Sequence, residues 1–245
     1  MITLLLLKIA RSFTFLVPVS RVRKTLRKDL SQKIEYSKLK RRAKFSVKKG
    51  NILNLERPAA AKIHVHGKNN KIIFKQGESP LPLEISITGN GNTVEIGDNV
   101  HIENEISLKI IANNTFTKIG NKTALNRGDF YLAEDNSRIL IGTDCLFSWN
   151  VDLWCKDGHS IIHPESRIRT NKGMFIEIGD HVWIGKDTRI GKNVKIASGC
   201  IVGWASIVTR SFEEENCIIA GVPAKIVKRD RTWDVAMPND YDRNH

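Results

Sequence analysis

Cysteine is scarce in this chain and is not arranged to do chemistry on its own. Cys145, Cys155, Cys200 and Cys217 form no CxxC pair and have no zinc-ligand spacing. That argues against a dithiol redox centre and a zinc ribbon, and it fits a reduced compartment where thiols act as small apolar fillers. Aromatic residues make up only 7% of the chain. No apolar run reaches the roughly 20 residues that a spanning helix needs. The opening stretch, MITLLLLKIARSFTFLVPVS, is broken by Lys8 and Arg11. It also makes a poor secretory signal, since no basic residue precedes the apolar run and no small-residue cleavage motif follows it.

Net charge is absent from most of the chain. The formal charge is +13, yet residues 1–50 hold 15 of the 39 Lys and Arg and only two of the 26 acids, Asp29 and Glu35. That leaves 24 residues of each sign for the rest. The basicity therefore belongs to a leader, and three parts are expected: a basic amphipathic segment over 1–50, a main domain over 51–230 and an extension over 231–245. Within the leader, Val22, Leu26, Leu30, Ile34 and Leu39 recur at near-helical spacing, which predicts a basic amphipathic helix from about 21 to 45. Two readings of it stand side by side. It packs on its own domain or a neighbouring subunit, or it attaches to an anionic membrane surface. Nucleic acid is not the expected partner, because no stacking aromatics interleave with the charge.

What the chain does have is a period. Ile178, Ile184, Ile190, Ile196, Val202 and Val208 return every six residues. A helix would space its apolar residues near 3.6 and a strand every second position. Gly or Ala follows each aliphatic residue up to position 203, and Val182, Thr188, Val194, Cys200 and Ser206 hold the fifth position. Less regular copies start at Ile96, Ile119 and Ile141. Each unit reads as a short strand plus a corner, and three units close a triangular coil of about 18 residues. Aliphatic residues would stack inside the prism at about 4.8 Å per coil. The residue after each aliphatic would sit at a crowded or left-handed turn, where glycine is favoured. The fold class is all-β, a parallel solenoid. Handedness does not follow from the period, since parallel crossovers are right-handed in most folds.

The hexads fail between Leu153 and Ile178, in WCKDGHSIIHPESRIRTNKGMFIE. A break in a solenoid extrudes a loop, often on a binding face. This one carries His159 and His163. An imidazole that is neutral near pH 7 suits a base that takes a proton from an attacking hydroxyl. Cys155 lies four residues from His159, so a covalent Cys–His route is a second possibility.

The tract from Ile178 to Lys228 resembles the left-handed β-helix of hexapeptide-repeat acyltransferases. The likeness rests on VWIG at 182–185, IVGWASIVTR at 201–210 and IIAGVPAKIVK at 218–228. It covers roughly residues 90–230, and DGHSI at 157–161 followed by HVWIG is similar to the capsular polysaccharide O-acetyltransferase branch. The resemblance implies a left-handed parallel β-helix and a direct transfer from acetyl-CoA to a sugar hydroxyl of a bacterial surface glycan, with His159 as base and no metal. It implies that Trp183 lines the site and that Lys186, Trp204, Thr209 and Arg210 lie along the coenzyme arm. Lys225 and Lys228 would meet its phosphates. Trp204 departs from the small residue usual after Gly203, and Arg210 replaces the more common lysine. A homotrimer sharing each site between subunits is implied too, as is a cytoplasmic location, peripheral at the inner membrane face if residues 1–45 attach there. What orients His159 is left open between Asp157, Asp152 and a backbone carbonyl. The tail TWDVAMPNDYD is expected to pack on a coil face or a neighbouring subunit.

Three competing functions use the same residues. One is N-acylation of a nucleotide amino sugar on the same fold. Another is a γ-class carbonic-anhydrase-like metal site built from His159, His163 and His181. The third is an inactive binding or scaffold module.

Overall fold

The computed structural model describes residues 43–57, 60–78 and 81–244. The expected leader helix lies outside these residues except for its last positions, and there the chain is already extended. Strand β1 begins at Lys44.

The chain winds through three sheets, which form the faces of a prism. Face one holds β1 (Lys44–Val47), β3 (Lys62–His66), β5 (Leu83–Thr88), β8 (Ile106–Ile111), β11 (Gly128–Leu132), β14 (Asp152–Cys155), β17 (Arg189–Gly191) and β20 (Ile207–Val208). Face two holds β2 (Ile52–Leu55), β4 (Lys71–Phe74), β6 (Thr93–Ile96), β9 (Phe116–Ile119), β12 (Arg138–Ile141), β15 (Phe175–Ile178) and β18 (Val194–Ile196). Face three holds β7 (His101–Ile102), β10 (Ala124–Leu125), β13 (Leu146–Phe147), β16 (Trp183–Ile184), β19 (Ile201–Val202), β21 (Ile218–Gly221) and β22 (Ala224–Lys228). Strand pairing is parallel from coil to coil, and only the terminal pair β21–β22 is antiparallel. A short helix, α1 (Pro238–Asn244), ends the described chain.

Hexad logic holds where it was read. Ile178, Ile184, Ile190, Ile196, Val202 and Val208 are all buried, as are Val182, Thr188, Val194, Cys200 and Ser206. The role given to position two needs correcting in part. Its glycines answer crowding: a Cβ at Gly179 would lie 2.6 Å from Ser198 Oγ, and one at Gly185 2.7 Å from the Val202 carbonyl oxygen. The left-handed residue is at position four instead, with His181, Asp187, Asn193, Gly199 and Ala205 at positive φ. Asn, Asp and Gly tolerate that region best, which is why polar residues gather at these corners.

The 18-residue coil holds only for the C-terminal part. Ile176 pairs with Val194, Trp183 with Ile201 and Arg189 with Ile207. Upstream, Ile72 pairs with Val94, Ile85 with Leu108 and Leu108 with Phe130, steps of 22 or 23 residues. The cause is strand length, since on face one β5 and β8 run six residues each where β17 and β20 run three and two. These longer strands alternate inward and outward with period two, which blurs the hexad. Their corners are tied by a ladder of asparagines. Asn92 Nδ2 donates to Asn70 Oδ1 at 2.9 Å and to the Ala112 carbonyl at 2.9 Å, and Asn70 Nδ2 donates to Asn51 Oδ1 at 2.9 Å. Thr115 ends the ladder by donating its hydroxyl to Asn92 Oδ1 at 2.8 Å. Buried amides thus find partners one coil away, as burial requires.

Candidate active site

Register jumps at one place. Ile139 pairs with Ile176 and Leu153 with Ile190, so residues 156–174 leave the prism at the edge between faces one and two. This excursion folds back on itself as a small hairpin. Ile162 and Arg169 form an antiparallel bridge, His163 N–H donates to the Ile168 carbonyl at 2.9 Å, and Arg167 sits at φ 57° in the tip. Its base is clipped by Asn171, whose Nδ2 donates to Asp157 Oδ2 at 2.7 Å and to the His159 carbonyl at 2.8 Å. Asn171 Oδ1 accepts from the Ile161 N–H at 2.9 Å. Two ion pairs moor the hairpin to the coils, Asp157–Lys192 at 2.7 Å and Arg169–Glu134 at 2.6 Å.

His159 stands in a cleft of about 330 Å³, lined also by Glu134, Lys156, Asp157, Arg169 and Asn171. Its imidazole is exposed and makes no hydrogen bond among the described residues, while its backbone is held by Asn171. The two carboxylates offered by the sequence to orient it are engaged elsewhere. Asp157 is held below the ordinary carboxylate range by hydrogen bonds from Lys192 and then Asn171. Asp152 faces Arg189 Nε at 3.0 Å, and burial pushes its carboxyl up. Asn171, Lys192 and the Arg169–Glu134 pair were not found from the sequence. Their partners lie 14 to 35 residues away through an irregular excursion, where no periodicity signals a contact.

The second loop histidine has a different place. His163 Nδ1 accepts from the Ser166 N–H at 3.3 Å at the hairpin tip. His181 lies at the edge between faces two and three. Its Nδ1 contacts Asp144 Oδ2 at 2.9 Å and its Nε2 the Trp233 carbonyl at 3.0 Å. Within one chain the three histidines of the metal-site reading are dispersed, and no cluster of three or more metal-ligating side chains occurs among the described residues. Cys155 turns into the core, where burial pushes its thiol up to about 12. A thiol so placed cannot supply a nucleophile, and this removes the covalent Cys–His route.

The remaining sequence-derived residues divide among several sides of the prism. Thr209 and Arg210 follow β20 on the same edge as His159, and the Arg210 guanidinium lies 5.4 Å from the Phe212 ring centre. Lys186 and Trp204 lie on the edge between faces three and one. There the Ala205 N–H donates to the Lys186 carbonyl at 2.9 Å, and Trp204 is 73% exposed. Trp183 is on face three with its Nε1 3.4 Å from Ser148 Oγ. Lys225 and Lys228 are exposed on β22. Their ammonium groups have no acidic partner among the described residues. One chain therefore does not bring these groups together with His159 in a single cleft. The tail touches the coils through Trp233, while Val235, Met237 and Tyr241 are exposed. Trp233 stacks on His181 at 4.5 Å with its ring 8° from parallel, and lies 6.3 Å from the Trp183 ring.

No family model matches the chain. A polysialic acid O-acetyltransferase of Neisseria meningitidis is 33% identical over 174 residues, covering 71% of this chain and 80% of that one. The polysialic acid O-acetyltransferase of Escherichia coli O1:K1 is 32% identical over 135 residues, covering 55% of this chain and only 43% of that longer protein. Among solved structures, a polysialic acid-specific acetyltransferase superposes with a TM-score of 0.67 at 28% identity, covering 80% of this chain and 94% of the other. The solenoid is thus the left-handed β-helix of the hexapeptide-repeat acetyltransferases. Within that class the chain belongs to the capsular polysaccharide O-acetyltransferase family.

Proposed function

We propose that this protein transfers an acetyl group from acetyl-CoA to a hydroxyl of a bacterial surface glycan, with His159 as general base. The observation that carries this reading is an exposed imidazole without a hydrogen-bond partner among the described residues, held by its backbone in a cleft. Acetyl-CoA supplies the activated acyl thioester. His159 takes the proton of the sugar hydroxyl as the new carbon–oxygen bond forms, then returns it to the departing sulfur. Backbone N–H groups at the coil corners are suited to the developing oxyanion, a task that needs no special side chain.

Support for the donor comes from charge. Arg210, Lys225 and Lys228 are exposed cations without an acidic partner among the described residues, which suits them to phosphates. Trp183, Lys186, Trp204 and Thr209 would follow the pantetheine arm. Since Lys186 and Trp204 occupy a different edge from His159, the complete site is read as forming between two copies of a homotrimer, one giving His159 and the other Trp183, Lys186 and Trp204. The basic leader is read as a separate attachment to an anionic membrane at the cytoplasmic face. Among the described residues no helix is long and apolar enough to cross a membrane.

The test is turnover of acetyl-CoA with a panel of surface glycans, set against a nucleotide amino sugar as the acceptor of the N-acylating alternative. His159→Ala is expected to lower kcat by about 10²- to 10⁴-fold, the usual contribution of a general base, at unchanged stability. An unchanged rate removes His159 from its role.

A further inference from the structure

On the outer side of face one, β8, β11 and β14 align Lys109, Tyr131 and Trp154 in register. Tyr131 and Trp154 meet edge to face at 5.9 Å, and Trp154 is 47% exposed. Two ammonium groups flank the pair, Lys109 Nζ at 5.4 Å and Lys156 Nζ at 4.5 Å from the Tyr131 ring centre. Neither lysine forms an ion pair among the described residues, since Asp157 beside Lys156 is taken by Lys192, although ion pairs are common elsewhere on the surface. An exposed tryptophan and a tyrosine flanked by two ammonium groups offer an apolar ring surface and positive charge side by side, a combination suited to binding. Lys156 belongs to both features, since it also lines the His159 cleft.

We propose that this stripe is the binding track for the acceptor, and that the acceptor is a glycan carrying carboxylates. This rests on the acetyl-transfer reading above. Three strands spaced at about 4.8 Å give a stripe of about 10 Å, which suits an extended carbohydrate chain rather than a single small molecule. The carbon faces of sugar rings stack on Trp154 and Tyr131, and Lys109 and Lys156 meet carboxylates as point charges. A neutral glycan has no use for the two lysines. Continuity through Lys156 leads the chain to the imidazole, so the track selects which sugar unit reaches His159.

Binding is measured by titration calorimetry on the full-length protein without an acetyl donor, using polysialic acid, polygalacturonate and neutral dextran as probes. The carboxylate polymers are expected to bind wild type and His159→Ala equally, with dextran silent and the affinity falling as salt screens the lysines. Trp154→Ala, and Lys109→Ala with Lys156→Ala together, should each weaken binding by about tenfold or more, or about 1.4 kcal/mol. In turnover assays the same variants should raise the acceptor KM while kcat is largely kept. The proposal is overturned if wild type binds neither carboxylate polymer or if the stripe variants bind as well as wild type. It is also overturned if a single-stranded oligonucleotide competes equally for the stripe. Light scattering covers the remaining occupant: a changed oligomeric mass in the variants would make this face a contact between copies. A protein that binds through the stripe but transfers no acetyl group refutes the acetyl-transfer reading alone. One that acetylates through His159 regardless of the stripe refutes the track alone.

Discussion

His159 and Cys155 lie four residues apart, yet one faces solvent and the other the core. Sequence spacing could not separate a Cys–His pair from a lone base, because the direction of a side chain at the end of β14 depends on where the strand stops. Burial decides it. The Cys155 thiol is pushed up to about 12 and that of Cys145 to about 11, both first by desolvation. In the unfolded chain such thiols ionise near 9.0. Below that pH both states keep the proton and these thiols leave stability unaffected. Above it the unfolded state gains by ionising, so stability is lost as pH climbs toward 12. Denaturation midpoints should therefore be insensitive to these groups from pH 7 to 9 and decline beyond. At pH 8 a thiol reagent should label the native protein only after unfolding. All four cysteines are buried, so rapid native labelling at Cys145 or Cys155, located by peptide mapping, would contradict the burial of that residue.

Among the elements, the C-terminal coils were legible because their strands are so short that every third residue sits at or next to a corner. Six-residue periodicity is then forced by geometry. The N-terminal coils hid their length, since strands of six residues such as β5 carry the period of an ordinary sheet and the asparagine ladder has no hexad phase. The excursion was visible as a failure of the repeat, and the DGHSI motif singled out His159. Its fastening was invisible, because Asn171 joins three backbone or side-chain groups that follow no common spacing. Asn171→Ala should loosen the backbone of His159 and lower kcat/KM about tenfold, equivalent to about 1.4 kcal/mol, with little change in Tm. Circular dichroism melting beside the kinetic assay checks both halves of that statement. A large loss of Tm with unchanged kinetics would make Asn171 a stability residue.

For the whole molecule, the separation of His159 from Trp183, Lys186 and Trp204 gives a test that a single-chain site would fail. Coexpressed His159→Ala and Trp183→Ala chains should regain part of the activity that each lacks alone, because in the proposed trimer some mixed sites would combine an intact edge from each parent. No regain would place the reaction within one chain. The leader is a separate matter. Because β1 begins at Lys44, removal of residues 1–42 keeps every described strand of the solenoid. That truncation should abolish sedimentation with anionic liposomes while sparing acetylation of a soluble acceptor. Equal sedimentation of both forms would refute the membrane reading. The +13 charge of the chain was thus a property of one segment, and composition alone could not reveal that the folded body is balanced.

The reversal of β22 against β21 has a consequence for the protein's company in the cell. A stack of parallel rungs is an invitation to grow, for its last rung presents unsatisfied amides to any passing extended chain. Here the chain doubles back and occupies that position on face three itself. The same stretch that carries two of the proposed phosphate-binding lysines therefore also covers the last parallel rung of face three, and it leaves an antiparallel, lysine-bearing edge in place of one that matches a further parallel rung.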